Sequence, residues 1–294
     1  MDVENRKWQW AAHAVLILLS LACVLPFILL FMASITDEKT IVANGYSFFP
    51  SRISFSAYEY LWNQSSQIFH AYGITVLVTV IGTFASLVIT SLLAYPLSRR
   101  DLPGGQFIAF VVFFTLLFNG GLVPTYMVYT QVLDVKNTLL ALLLPWLLMN
   151  GFNVLLMRTF FQTTVPLAVL ESASIDGAGE FKTYYRIVLP LSLPILATVG
   201  MFQGLAYWND WNNGLVFVTE PNLFSLQNVL NRIMNDIQFL TTSGGAGSSQ
   251  ALAALPSETF RMAIAVIGVV PILIAYPFFQ KYFVRGMTIG AVKG

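Results

Sequence analysis

Six long, predominantly apolar stretches of this chain contain no Asp, Glu, Lys or Arg: 11–36, 60–98, 102–133, 137–157, 187–209 and 262–280. A helix needs about 20 consecutive apolar residues to cross the hydrocarbon core of a bilayer, and each stretch has room for one crossing. Approximate helix cores fall at 11–33, 72–96, 106–128, 138–157, 191–209 and 260–280. The second and third stretches are too polar at their ends to hide further crossings. Composition agrees, since 56% of the 294 residues are hydrophobic and 10% are charged, against about 25% charged in soluble domains. A soluble chain of this length would lack the polar side chains to cover its surface. The expectation is an all-α polytopic membrane protein: six transmembrane helices in one domain over residues 1–294.

An even number of crossings leaves both termini on one side, and Lys and Arg accumulate in short cytoplasmic segments. With the termini inside, the inner set is Arg6, Lys7, Arg99, Arg100, Arg158, Lys182, Arg186, Lys281, Arg285 and Lys293. The outer set is Lys39, Arg52, Lys136, Arg232 and Arg261. Ten against five places both ends in the cytoplasm. Arg6 and Lys7 precede the first crossing as they would in a signal peptide. Its apolar core is longer than the usual 7–15 residues and no small-x-small cleavage site follows, so it reads as a retained anchor.

Several features are uninformative or exclude functions. The net charge of +1 is spread without long like-charged runs, so no nucleic-acid partner is expected. Cys23, the single cysteine, rules out an internal disulfide and multi-cysteine metal sites. His13 and His70 have no second ligand nearby, and no metal site is expected. Pro26, Pro96, Pro124, Pro145, Pro194 and Pro271 lie in or beside the crossings. Membrane helices tolerate them where neighbours re-satisfy the freed carbonyls. The Gly/Ser/Thr-rich stretch 241–249 reads as a flexible outer segment.

The most informative segment is the cytoplasmic stretch between the fourth and fifth crossings, VPLAVLESASIDGAGEFKTYYRIVLPLSLP at 165–194. Pro166 suits a first helical position, and residues through Asp176 are helix-compatible. Gly177 then supplies a stop that allows positive φ. A second helix begins after Gly179, where Phe181, Tyr184, Tyr185 and Val188 recur at helical spacing as one apolar stripe. Lys182 and Arg186 share another face, and Pro190 and Pro194 break the pattern. So short a hairpin cannot be stable alone. It docks on a partner or rests as an amphipathic hairpin on the lipid surface, and these residues alone do not separate the two.

The same segment resembles the cytoplasmic loop of ABC importer permeases: Glu-Ala-Ala, three residues, Gly, nine residues, Ile-x-Leu-Pro. Here Glu171, Ser172 and Ala173 are followed after three residues by Gly177, and nine residues later by Ile187, Val188, Leu189 and Pro190. Ser172 departs from the pattern by a small-for-small change. The resemblance implies the type I importer permease fold and a coupling loop over residues 165–190. Its first helix would seat on an ATPase through Glu171, Ala173, Asp176, Gly177 and Ala178. Phe181, Tyr184, Tyr185, Leu189 and Pro190 would shape the rest.

No phosphate-binding loop is present. The nearest approach, Gly177 to Thr183, lacks the glycine before its lysine and follows no strand. Catalytic residues and cofactors are therefore not expected in this chain, ATP and Mg belonging to a partner ATPase dimer. Near the far end of the fifth crossing, residues 207–213 read YWNDWNN. Interfacial anchoring explains its aromatics. Stacking faces beside Asn and Asp groups also suit a sugar path, and Asp210 should face protein or water. Asn150, Asn153, Gln203, Trp208, Asn209 and Asp210 are the path candidates, with helix bridging the alternative for the amides.

The Trp-Asn-Asp stretch and the end of the chain resemble carbohydrate permeases of the maltose-type class, especially the smaller subunits serving complex or acidic oligosaccharides. That class implies a bacterial cytoplasmic-membrane location and a tail, 281–294, extending toward the ATPase dimer. Its partners would be a second, non-identical permease and an extracytoplasmic solute-binding protein. The 34–70 segment and an amphipathic helix near 223–236 are candidate contacts for the latter. An amino-acid or peptide ABC permease is the nearest rival. A secondary carrier would require ionisable groups deep in the crossings, which hold essentially none.

Overall fold

The computed structural model describes residues 3–63, 65–243 and 257–291, which contain no β-strand, only an isolated bridge between Thr36 and Ile53. In chain order the helices are α1 (Val3–Ser34), α2 (Glu38–Asn44), α3 (Ser56–Asn63), α4 (Ser65–Ser98) and α5 (Gly105–Leu117). There follow α6 (Leu122–Met127), α7 (Leu140–Leu143), α8 (Gly151–Thr164), α9 (Leu167–Ile175) and α10 (Glu180–Thr183). Last come α11 (Leu189–Leu191), α12 (Leu193–Trp208), α13 (Asn212–Phe217), α14 (Leu226–Ser243) and α15 (Ser257–Ala291). Most of the flexible stretch expected at 241–249 lies outside the described residues, as do residues 292–294 of the tail. Up to Ala291 the tail continues α15 as one helix.

Among the described residues, three helices are long and apolar enough to cross a membrane unaided: Trp8–Ser34, Ser66–Ser98 and Glu258–Pro277. Three more candidates are bent pairs: α5 with the helix at Leu122–Val132 (113°), α8 with α9 (78°), and Glu180–Leu191 with α12 (81°). The third and fourth expected cores therefore need correction, because neither is one straight helix. At the third, Asn119 Oδ1 accepts the Gly121 amide at 2.8 Å and Gly121 adopts φ 85°, which turns the chain after Leu117. At the fourth, the helix over 138–157 is interrupted between Leu143 and Gly151. There Trp146 takes φ 58°, and Asn150 restarts the helix by accepting the amides of Phe152 (2.9 Å) and Asn153 (3.3 Å). Such a side-chain cap satisfies donors that a helix start leaves open.

Contacts divide the chain into two compact units. In the first, 1–68 with 230–271, the Glu38 carboxylate caps the start of α15. It accepts the amides of Glu258 (3.0 Å) and Thr259 (2.9 Å) and the Thr259 hydroxyl (2.7 Å). Tyr46 donates to Glu258 at 2.7 Å, and Tyr60 meets Phe260 edge-on.

The second unit, 69–229 with 272–294, holds a core of Ala94, Leu97, Val112, Val154, Met157, Val188 and Val199, drawn from α4, α5, α8, α12 and the loop before α12. Lipid gives helices little hydrophobic reason to associate, so close packing of small residues carries the contact. Gly151 lets α8 approach α5: a Cβ there would lie 3.0 Å from the Val112 carbonyl oxygen. A Cβ on Gly82 would overlap the Tyr207 ring, so α4 and α12 close on each other the same way.

Candidate functional site

The loop between α8 and α12 folds back on itself at one residue. Helix α9 starts after Pro166, which stands just outside the helix as its cap rather than at its first position, and ends at Asp176. The Ala178 amide donates to the Ala173 carbonyl at 2.9 Å and the Gly177 amide to Ser174 at 3.1 Å. This paired closure requires a left-handed residue, and Gly177 supplies it with φ 73°. No atom lies within 4 Å of where its Cβ would be, so the requirement for glycine is conformational and not steric.

The turn presents apolar side chains outward. Ile175 is 86% exposed and Leu167 59%, while Ala173 is buried. Glu171 and Asp176 are also exposed. Beyond the turn the expected single apolar stripe is divided. Residues Tyr184–Val188 form a π-turn between α10 and α11, which shifts the register of the face. Tyr184 and Val188 point into the core, whereas Phe181 (70%) and Tyr185 (44%) stay exposed. Leu189 and Pro190 form α11, which ends at Ser192 before the chain turns into α12.

A polar cluster fastens this loop to the end of α4. Glu180 accepts from the Tyr95 hydroxyl at 2.5 Å and pairs with Arg99 at 3.4 Å, while Arg99 also binds Asp101 at 3.1 Å. Tyr184 shares a 2.7 Å hydrogen bond with Ser91. Asp101 is held below the ordinary carboxylate range, chiefly by its hydrogen bond to Arg99. Arg158 donates to the Leu97 carbonyl at 2.8 Å, closing the end of α4 from α8. Tyr95, Arg99, Glu180, Phe181 and Tyr184 line a cavity of about 490 Å³ at this junction. Sequence reasoning counted Arg99 only as an inner positive charge and missed Tyr95 and Glu180. The available signal was a basic residue at a helix end facing a loop that carries one carboxylate at a helix start.

The expected path residues do not form one group. Asn153 donates to Gln203 at 3.2 Å, and Gln203 donates to the Leu147 carbonyl, so these amides join α8, α12 and the break before α8. Asn150 is the exposed cap of α8. Trp208 is buried, its ring centroid 6.2 Å from that of Tyr72. Asn209 bonds back to the Leu205 carbonyl at 3.0 Å. Asp210, just past α12, accepts the Asn213 amide at 3.2 Å, and burial pushes its carboxyl up to about 6.

No family model matches the chain. It is 36% identical over 295 residues, 99% of this chain and 100% of the relative, to the polygalacturonan/rhamnogalacturonan transport system permease protein YtcP of Bacillus subtilis (strain 168). The chain belongs to the permease subunits of carbohydrate ABC importers. LplC of the same organism is 35% identical over 92% of this chain and 90% of its own length. The arabinooligosaccharides transport system permease AraQ of Halalkalibacterium halodurans is 28% identical over 92% of this chain and 91% of its own. One chain of the crystal structure of a bacterial ABC transporter involved in the import of the acidic polysaccharide alginate superposes with a TM-score of 0.77. It shares 27% identity, covering 96% of this chain and 99% of that one. The importer-permease fold expected from the loop motif is thereby borne out. Carbohydrate ABC permeases are multi-pass proteins of the cytoplasmic membrane and are not themselves enzymes; ATPase and substrate-binding partners complete their systems.

Proposed function

We propose that this permease carries an acidic oligosaccharide inward by alternating access, driven through the 165–190 loop by a separate ATPase dimer. The observation that carries the reading is the fastening of the loop. An exposed apolar turn at Ile175 is continuous with residues anchored on α4 at Ser91, Tyr95 and Arg99. Displacement of the turn by a partner is thus delivered to a membrane helix instead of being lost in a slack link. ATP and Mg bind the partner, and this chain contributes no catalytic group.

In this reading each bent pair counts as one crossing, giving six with both termini inside. A second, non-identical permease completes the passage, and a binding protein delivers the sugar against the 34–70 segment and α14. An acidic substrate is supported by two similar proteins whose names specify polygalacturonan/rhamnogalacturonan and alginate. Uptake of oligogalacturonate and of a neutral maltooligosaccharide into proteoliposomes holding the complete importer tests this. Uptake of the acidic sugar is expected, lost when the ATPase is inactivated. Uptake that survives ATPase inactivation contradicts the importer mechanism, and preference for the neutral sugar contradicts the substrate class.

A further inference from the structure

Among the described residues, six buried side-chain atoms lack a hydrogen-bond partner. They are the hydroxyls of Thr79, Thr83, Ser86, Thr90 and Ser192, and Asn213 Oδ1. Four lie on α4, while Ser192 precedes the start of α12 and Asn213 follows its end. At about 100° per residue, the four α4 positions fall within an arc of about 60°. That face meets α12 closely: a Cβ on Gly204 would lie 3.5 Å from Thr83 Oγ1, one on Gly200 would lie 3.3 Å from Leu87, and Gly82 sits under the Tyr207 ring.

Helical hydroxyls can return to a carbonyl one turn back, as Thr75 does to Ala71 (2.9 Å) and Ser91 to Leu87 (2.7 Å) on this same helix. The four between them do not. Their burial denies them lipid headgroups and the surface of a neighbouring subunit. An unpaired buried hydroxyl is costly to keep, and four on one face call for a state in which they are paired. Parting α4 from α12 would supply it. Packing at this seam rests on glycines against side chains, and α12 is set off from the preceding helix by an 81° bend.

We propose that the α4–α12 seam opens during transport, and that Thr79, Thr83, Ser86 and Thr90 then form a wall of the sugar passage. This rests on the reading of the chain as a carbohydrate importer permease. A hydroxyl both donates and accepts, so the line matches the hydroxyl groups of an oligosaccharide and their water. Being uncharged, it offers exchangeable hydrogen bonds without trapping the substrate. At about 1.5 Å per residue the line runs about 16 Å along α4, long enough to meet successive sugar units.

The test is cysteine accessibility in the complete reconstituted importer. Cys23→Ser provides the background, single cysteines replace the four residues, and Val78→Cys on another face of α4 is the buried control. Variants that retain ATP-driven uptake are labelled with a charged methanethiosulfonate in the resting and vanadate-trapped states. The expected result is a labelling rate that rises at least about tenfold at the four positions in one state, is reduced by oligogalacturonate, and stays flat at Val78→Cys. Rates independent of state at all four positions overturn the proposal while leaving the importer reading intact, since uptake is verified separately. Thr83→Val with Thr83→Ser gives a second readout. Uptake should fall in the first with ATP hydrolysis retained and recover in the second; wild-type uptake in Thr83→Val counts against the wall.

Discussion

Gly177 adopts φ 73° with open space where a Cβ would stand, so what a substitution costs there is backbone strain. Left-handed geometry costs an ordinary residue about 1–2 kcal/mol, more for a β-branched one and less for Asn. Gly177→Val should leave the protein inserted but reduce sugar imported per ATP by about tenfold, whereas Gly177→Asn should keep most of the coupling. Paired assays of uptake and ATP hydrolysis check both. Asp210 poses a different balance. Its folded carboxyl titrates at about 6 against an ordinary 3.8 because burial penalises the charge. The folded state holds the proton more tightly, so this group's contribution falls as pH rises from about 4 to about 6. Asp210→Asn keeps an oxygen for the Asn213 amide and removes the buried charge. It should stabilise by up to about 3 kcal/mol at pH 8 and by nothing near pH 4, read as melting temperature in detergent. The two residues also differ in legibility: a glycine spaced correctly in a loop motif announces a turn, but the burial around Asp210 comes from chain far from it in sequence.

At the level of elements, the loop was readable because its signals are local. Gly177 and Gly179 punctuate it: the helix at Leu167–Ile175 stops just before the first and the helix at Glu180–Thr183 starts just after the second. Pro190, expected to break the pattern, instead lies inside α11, and the break comes at Ser192. The break before α8 was not readable. Pro145 lies in an apolar run that many membrane helices would carry through, and nothing in the sequence marks Trp146 for φ 58°. The same holds for the division of the aromatic stripe, where a π-turn separates buried Tyr184 from exposed Tyr185. The anchor of Glu180 on Tyr95 and Arg99 was equally hidden, because pairing between distant positions leaves no local pattern. The Arg99–Glu180 side chains are 22% and 67% exposed, so the pair contributes at most about 1 kcal/mol to stability. In the proposed mechanism its role is transmission. Glu180→Gln should barely move the melting temperature yet raise ATP consumed per sugar several-fold. A large loss of stability with unchanged stoichiometry would show the anchor to be structural only.

For the whole molecule, hydrophobic pattern was enough to establish the class, and a loop motif to establish the family. Neither revealed which polar groups hold helices together. Asn153 and Gln203 bind each other, while the hydroxyls of Thr79, Thr83, Ser86 and Thr90 on α4 have no partner among the described residues. In the proposed mechanism the turn at Gly177 is gripped by an ATP-driven partner on the inner face. Ile175, 86% exposed at that turn, is the place to test it, as Ile175→Cys in a Cys23→Ser chain expressed with the rest of the importer. The account predicts crosslinking of this cysteine to the ATPase subunit and protection from an impermeant maleimide added to intact cells. Labelling from outside, with no crosslink to the ATPase, would contradict it.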